Sequence, residues 1–237
     1  MHHPDTRPRH SGYYEYKVYP FVRPPELDGK KQKWPVVIVG AGPVGLVAAL
    51  DLARFGIKSV LLESEQQVSL GSRAIVFTRR SMEILQQVGV AGRMMKEGLP
   101  WRHGNSYYRG QRVFRLEAPY DEDDRFQPLL NLQQQYLEEY LVDAVQKEPL
   151  IDLRWGSHAA SVVRNDDNGA VLHVDTPEGE YDIEADWVVS TDGARSGIRS
   201  QLGLKMQGDS YEGRFVIADI KIDLGLRSSS ASTPSSR

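Results

Sequence analysis

Cysteine is absent from the 237 residues. That removes disulfides, thiolate metal ligands and thiol nucleophiles, and it suits a reducing compartment. Long apolar runs are missing too. The longest, Val36 to Leu50, is interrupted by Gly40, Gly42, Pro43 and Gly45, so it is too short and too broken to span a bilayer. Positive charge is not in excess: 29 Lys and Arg stand against 32 Asp and Glu, a net charge of −3. This balance argues against nucleic acid or a membrane surface as a partner. The first ten residues hold Arg and His but lead into no apolar stretch of a secretory signal. Metal-ligand spacing is also lacking, since His2 and His3 have no third ligand nearby and His103, His158 and His173 are scattered. The expectation is a cytoplasmic chain of one large or two small domains.

What is present has a clear order. Residues 1–33 are polar, rich in proline, and carry Tyr13, Tyr14, Tyr16 and Tyr19. They read either as an irregular arm lying across the surface through its tyrosines or as a disordered leader. Val36-Val37-Ile38-Val39 is a β-branched run typical of a strand buried on both faces. A glycine turn follows, then a helix over 46–55 ending near Gly56, then a strand within 58–63. Those three make a βαβ unit.

Further on, the periodicity predicts helices over 78–88 and 133–147, the latter with Leu137, Tyr140, Leu141, Ala144 and Val145 on one stripe. Strands are expected at 112–116, and a meander at 157–164, 171–174 and 181–183. A separate buried strand is expected at 187–189, running into Ser190-Thr191-Asp192-Gly193. Residues 214–222 alternate like a last strand, and 225–237 hold six serines without an apolar pattern. A disordered tail directly after a strand suggests a truncated or frame-shifted product; a natural flexible tail is the alternative.

Gly40-Ala41-Gly42-Pro43-Val44-Gly45 is a G-x-G-x-x-G turn between strand and helix, trailed 23 residues after Gly40 by Glu63 at the end of the second strand. This is the dinucleotide fingerprint in its full setting. Gly40 permits the tight turn, Gly42 lets a pyrophosphate approach the backbone, and Gly45 lets helix and strand pack closely. The first-turn N–H groups, at the positive end of the helix dipole, can take a diphosphate. Glu63 can accept hydrogen bonds from both adenosine ribose hydroxyls and would repel a 2′-phosphate. NAD or FAD therefore fits, and NADP does not.

Three places make the sequence resemble the class A flavin monooxygenases, particularly the phenol hydroxylase-like aromatic hydroxylases. They are Val36 to Glu63, Gly71-Ser72-Arg73-Ala74, and Trp187-Val188-Val189-Ser190-Thr191-Asp192-Gly193-Ala194-Arg195-Ser196. The resemblance covers roughly residues 34–222 and implies an α/β fold: a Rossmann-like FAD-binding domain, with a parallel sheet, helices and an antiparallel meander, truncated before the substrate domain. It implies FAD as cofactor, with Gly40, Gly42, Pro43, Val44, Gly45, Glu63, Arg73, Gln134, Asp192 and Gly193 as the residues that hold it. Arg73 would stand beside the diphosphate; otherwise it is a solvated loop arginine. Gln134, or Gln133 if the register slips, would reach the flavin side; otherwise it is a polar residue opening a helix. Asp192 would accept a ribose hydroxyl or orient amides near the diphosphate; otherwise it belongs to an ordinary Asp-Gly turn. Arg199 would meet phosphates or lie on a helix surface.

By the same resemblance, NADH or NADPH would reduce the flavin, and a small phenolic substrate would be hydroxylated in the full-length enzyme. The catalytic residues stay unknown, and self-association stays open. The expected division is an arm at 1–33, an incomplete FAD-binding domain at 34–213, the first strand of a missing substrate domain at 214–224 and the tail. Such enzymes have a second Gly-Asp motif, whereas the pair here, Gly208-Asp209, lacks its strand and helix setting. The isolated chain is therefore expected to be poorly soluble, to hold FAD weakly and to hydroxylate nothing. An NAD-linked dehydrogenase and a non-catalytic dinucleotide-binding remnant are the competing readings.

Overall fold

The computed structural model describes residues 1–213 apart from Tyr13, Ser72 and Ser210. The expected strand at 214–224 and the Ser-rich segment at 225–237 lie outside the described residues. After a 3-10 turn at Pro25–Asp28, the chain forms β1 (Lys33–Val39), α1 (Pro43–Arg54) and β2 (Ser59–Leu62). A middle portion follows, with β3 (Val76–Thr78), α2 (Arg79–Gln87), α3 (Ala91–Glu97), β4 (Leu99–Trp101), β5 (His103–Tyr108), β6 (Gln111–Glu117) and β7 (Leu129–Asn131). Then come α4 (Gln134–Val145), β8 (Ile151–Arg154), β9 (His158–Asp166), β10 (Gly169–Thr176), β11 (Gly179–Ser190) and α5 (Gly197–Gln201).

The main sheet has the order β8-β2-β1-β11-β10-β9. β8, β2, β1 and the second half of β11 run parallel, and β10 and β9 join antiparallel. The β-branched run of β1 explains why this strand is central: Val37 and Ile38 are fully buried, each on a different face. One face is covered by α1 and α4, which pack Leu46, Ala49 and Leu50 with Leu137, Leu141 and Val145. The other face gathers Val37, Val39, Val60, Leu62, Leu172, Val174 and Ile183 with Ile198 of α5. β3, β7 and β4 form a small antiparallel sheet, and β5 and β6 a separate hairpin. Among the described residues no helix is long and apolar enough to cross a membrane.

Two sequence expectations need correction. The strands at 181–183 and 187–189 are one continuous strand, β11. Its polar middle does not end it because Glu184 and Ala185 are paired on both sides, with Lys33 and Trp34 of β1 and with Val171 and Ala170 of β10. Secondly, β8 was not anticipated, although it forms the outer parallel strand beside β2. Its sequence, Ile-Asp-Leu-Arg, hides its burial because Arg154 is only 4% exposed. That arginine is held by Glu26 at 3.0 and 3.2 Å and by Asp152 at 2.9 Å, and it donates to the Tyr181 hydroxyl at 3.2 Å. The sequence reading also had no counterpart for β3, α3, β4, β5 and β7, which are short or little buried, and α1 starts at Pro43 rather than 46, with its proline at the first helical position.

Among its described residues the N-terminal arm has no helix or strand before residue 25 apart from one bridge, His10–Glu15. It is nonetheless packed. Tyr14, Tyr16 and Tyr19 are buried, Tyr14 meets Tyr16 and Tyr136 edge-on, and Tyr19 stacks on Trp155 with ring centres 4.5 Å apart.

Candidate functional site

The C-terminal ends of β1, β2 and β11 meet at the glycine turn. Gly40 has φ +97°, and a Cβ there would lie 2.8 Å from the Thr191 carbonyl oxygen, so both conformation and space demand glycine. Gly45 is needed for a different reason: its Cβ would fall 2.0 Å from the Gly40 carbonyl oxygen. Gly42, the helix N-cap, is different again, because a Cβ there would meet nothing within 4 Å. The first intrahelical bond is Leu46 N–H to the Gly42 carbonyl, 3.0 Å. Pro43 has no N–H, which leaves the N–H groups of Val44 and Gly45 without acceptors inside α1. They lie in the first turn of α1, at the positive end of the helix dipole.

Glu63 stands one residue past β2 and turns toward this loop. Its Oε2 accepts the Ala41 N–H at 2.8 Å, and its Oε1 accepts the Glu65 N–H at 2.9 Å and the Ser64 hydroxyl at 3.3 Å. Burial pushes its carboxyl above the usual range, opposed by the N–H bonds from Glu65 and Ala41. A half-buried carboxyl at the tip of a parallel strand, bonded to the turn that opens α1, is an arrangement that suits a ribose diphosphate.

From Glu63 the chain runs without regular structure to Arg73. Arg73 is exposed and makes no hydrogen bond or ion pair among the described residues. Gln134, the first residue of α4, is close by: its Oε1 accepts the Ala74 N–H at 3.3 Å, and its Nε2 donates to Glu138 at 2.6 Å. Buried Glu138 also accepts the Ser69 N–H at 2.6 Å. The start of α4 and the Arg73 segment are thus joined by hydrogen bonds.

Asp192 and Gly193 follow β11, with Gly193 at φ +81°. The Asp192 carboxylate is engaged inside its own turn, accepting from the Ser190 hydroxyl and from the Ile198 N–H. Burial works to raise this carboxyl, but the hydroxyls of Ser190 and Ser196 outweigh it and hold it below its usual range. Arg199 donates to the carbonyls of Gly193 and Ala194, so it stays on its helix surface and closes the turn from behind. Thr191 had no role in the sequence reading. Its hydroxyl lies 2.8 Å from the carbonyl oxygens of both Val39 and Gly40, which ties the end of β11 to the glycine turn. The only hint in the sequence was its place directly before the Asp-Gly pair.

Comparison with known proteins places these features in a wider set. The family model described as FAD binding domain matches residues 33–234. The para-nitrophenol 4-monooxygenase of Pseudomonas sp. (strain WBC-3) is 30% identical over 197 residues, covering 81% of this chain and 48% of that protein. The 6-methylpretetramide 4-monooxygenase of Streptomyces rimosus is 30% identical over 205 residues, covering 86% and 35%. Among solved structures, p-nitrophenol 4-monooxygenase PnpA from Pseudomonas putida DLL-E4 is similar at TM-score 0.68 and 30% identity, covering 77% of this chain and 46% of that one. The flavin-dependent monooxygenase PieE, solved with FAD and substrate, gives TM-score 0.67 and 31% identity, covering 75% and 33%. The chain spans 33–48% of the length of these relatives, roughly a third to a half.

Proposed function

The chain belongs to the FAD binding domain family, and from that membership we propose that it is the FAD-binding part of a flavin monooxygenase that hydroxylates a small phenolic substrate with NADH or NADPH as reductant. The observation that carries this is the glycine turn itself: a Cβ at Gly42 would meet no atom within 4 Å, the N–H groups of Val44 and Gly45 have no acceptor inside α1, and Glu63 is bonded to Ala41 of the same turn. The relatives named above are monooxygenases, two of them named for a nitrophenol.

In this reading the turn from Gly40 to Gly45 holds the diphosphate through backbone N–H groups, with Pro43 and Val44 opening the helix. Glu63 accepts the ribose hydroxyls through lone pairs that its bond to Ala41 leaves open, Arg73 adds a cation beside the diphosphate, and Gln134 hydrogen-bonds the flavin half. Asp192 and Gly193 shape the turn that faces the cofactor from β11. The bound flavin supplies the oxygen and electron chemistry; these residues bind, orient and exclude water. Hydroxylation by the 237-residue chain alone is not expected, because it spans a third to a half of the relatives named for that activity. The net charge of −3 and the lack of a membrane-crossing helix among the described residues favour small molecules as partners and a cytoplasmic location.

Titration of the full chain with FAD and with NAD, followed by flavin fluorescence and calorimetry, tests the reading. FAD is expected to bind at least about tenfold more tightly than NAD. Equal or tighter binding of NAD would favour a nicotinamide-linked dehydrogenase, and binding of neither would remove the cofactor assignment.

A further inference from the structure

The arm at residues 1–32 lies outside the segment that the family model matches, yet several of its polar contacts converge on one stretch of chain. That stretch, residues 64–71, connects Glu63 to Arg73. His2 meets the Ser64 carbonyl at 2.8 Å, and the Tyr19 N–H donates to the Gln66 carbonyl at 2.8 Å. Arg9 makes three bonds: its guanidinium reaches Glu65 at 2.6 Å and the Val68 carbonyl at 3.2 Å, and its N–H reaches the Gln67 side chain at 2.8 Å. Gln67 is 3% exposed, and its amide nitrogen donates back to the carbonyls of Asp5 and Arg7, both at 3.0 Å. The Tyr16 hydroxyl accepts the Gly71 N–H at 3.0 Å.

We propose that this arm is a positioning element of the dinucleotide site, with Arg9 and Tyr16 as its positioning residues. They fix residues 64–71 so that Glu63 and Arg73 meet the adenosine and diphosphate of FAD. The proposal rests on the FAD reading above. Its physical basis is that the stretch has no helix or strand of its own. Its shape is set from outside, by the arm on one side and on the other by Glu138 of α4, which accepts the Ser69 N–H, and Gly156, whose N–H donates to the Glu65 carbonyl. The coupling to Glu63 is direct, because the N–H of Glu65 and the hydroxyl of Ser64 orient that carboxylate, and Arg9 and His2 hold the same two residues. Arg73 is two residues beyond the Gly71 N–H that Tyr16 holds. A segment ordered before the ligand arrives spends less conformational entropy on binding.

The test uses the full chain and the variants Tyr16→Phe, which removes one hydroxyl and keeps the buried ring, and Arg9→Met, which keeps an apolar stem. Titration with FAD and with ADP is expected to show affinity for both ligands reduced by the same factor, about fivefold for Tyr16→Phe and about tenfold for Arg9→Met. Amide exchange at Gly71 is expected to speed up in Tyr16→Phe, with the ligand-free melting temperature unchanged. Lys17→Ala, which breaks the arm's ion pair with Glu139 of α4 and leaves the 64–71 bonds intact, is expected to bind both ligands as the unaltered chain does. Unchanged FAD and ADP affinity in both Tyr16→Phe and Arg9→Met, with the unaltered chain binding, would overturn the positioning role alone. So would an affinity loss that tracks a lower melting temperature and disappears on cooling. If the unaltered chain binds neither FAD nor ADP, the FAD reading falls and this proposal falls with it.

Discussion

The carboxylate of Glu63 and the backbone N–H of Ala41 lie 2.8 Å apart, so the acid at the tip of β2 is bonded to the glycine turn that follows β1. A ribose that takes this carboxylate shares it with the Ala41 N–H, because Oε2 accepts one N–H and keeps a second lone pair. Binding and the turn's own hydrogen bonding are therefore coupled through one oxygen.

The sign of the pH dependence follows. Burial raises the Glu63 carboxyl above the usual range, so the fold favours the protonated form. Its contribution to stability is complete below the ordinary carboxylate pKa and is lost as pH rises through the raised one. FAD binding runs the other way, since two ribose hydroxyls need an ionised acceptor. FAD affinity is expected to increase as pH rises from the ordinary carboxylate range through the raised one, and Glu63→Gln should bind roughly tenfold more weakly with a flat profile. Titrations across that range check both slopes.

Gly42→Ala and Gly45→Ala separate binding from folding. A Cβ at Gly42 meets no protein atom within 4 Å, so stability should change by less than about 0.5 kcal/mol while FAD affinity falls at least about tenfold. A Cβ at Gly45 would sit 2.0 Å from the Gly40 carbonyl, and the loss should be about 1–3 kcal/mol or more. Chemical denaturation and FAD titration of the two variants, side by side, give the comparison.

Arg73 is exposed and unpartnered among the described residues, so Arg73→Ala should leave the melting temperature unchanged. If it stands beside the diphosphate, ADP and FAD should each lose about tenfold in affinity and AMP little. Arg73→Lys should recover only part of the loss, because a lysine cannot make the bidentate contact.

Glu26→Gln tests the buried pair that fixes β8. Arg154 and Glu26 have side chains each 3% exposed and are bonded at 3.0 and 3.2 Å. Leaving that guanidinium with Asp152 alone should cost about 3 kcal/mol by urea denaturation.

Much of this architecture was legible along the chain. The run Val36 to Val39, the stripe Leu46, Ala49 and Leu50, and the short strand before Glu63 each carry their own period. The meander announced itself by alternation and by turns at Asn168-Gly169 and Glu178-Gly179. What stayed hidden shares a cause. β8 looks half-charged because its arginine is neutralised by Glu26, 128 residues earlier in the chain. β11 looks interrupted because partners on both sides, and not its own pattern, carry it through Glu184 and Ala185. Thr191 clamps the glycine turn from 151 residues away.

The sequence by itself determined the βαβ unit, the glycine turn with its acid, and the family, because these depend on short motifs whose residue types and spacing can be read along the chain. Only the tertiary structure decided where Glu63 aims its oxygens, that Asp192 and Arg199 close their own turn, and that the tyrosine-bearing arm grips the chain between Glu63 and Arg73. Those outcomes are competitions among donors and acceptors from distant segments. Which partner wins depends on distance and burial, and neither exists until the sheet has assembled.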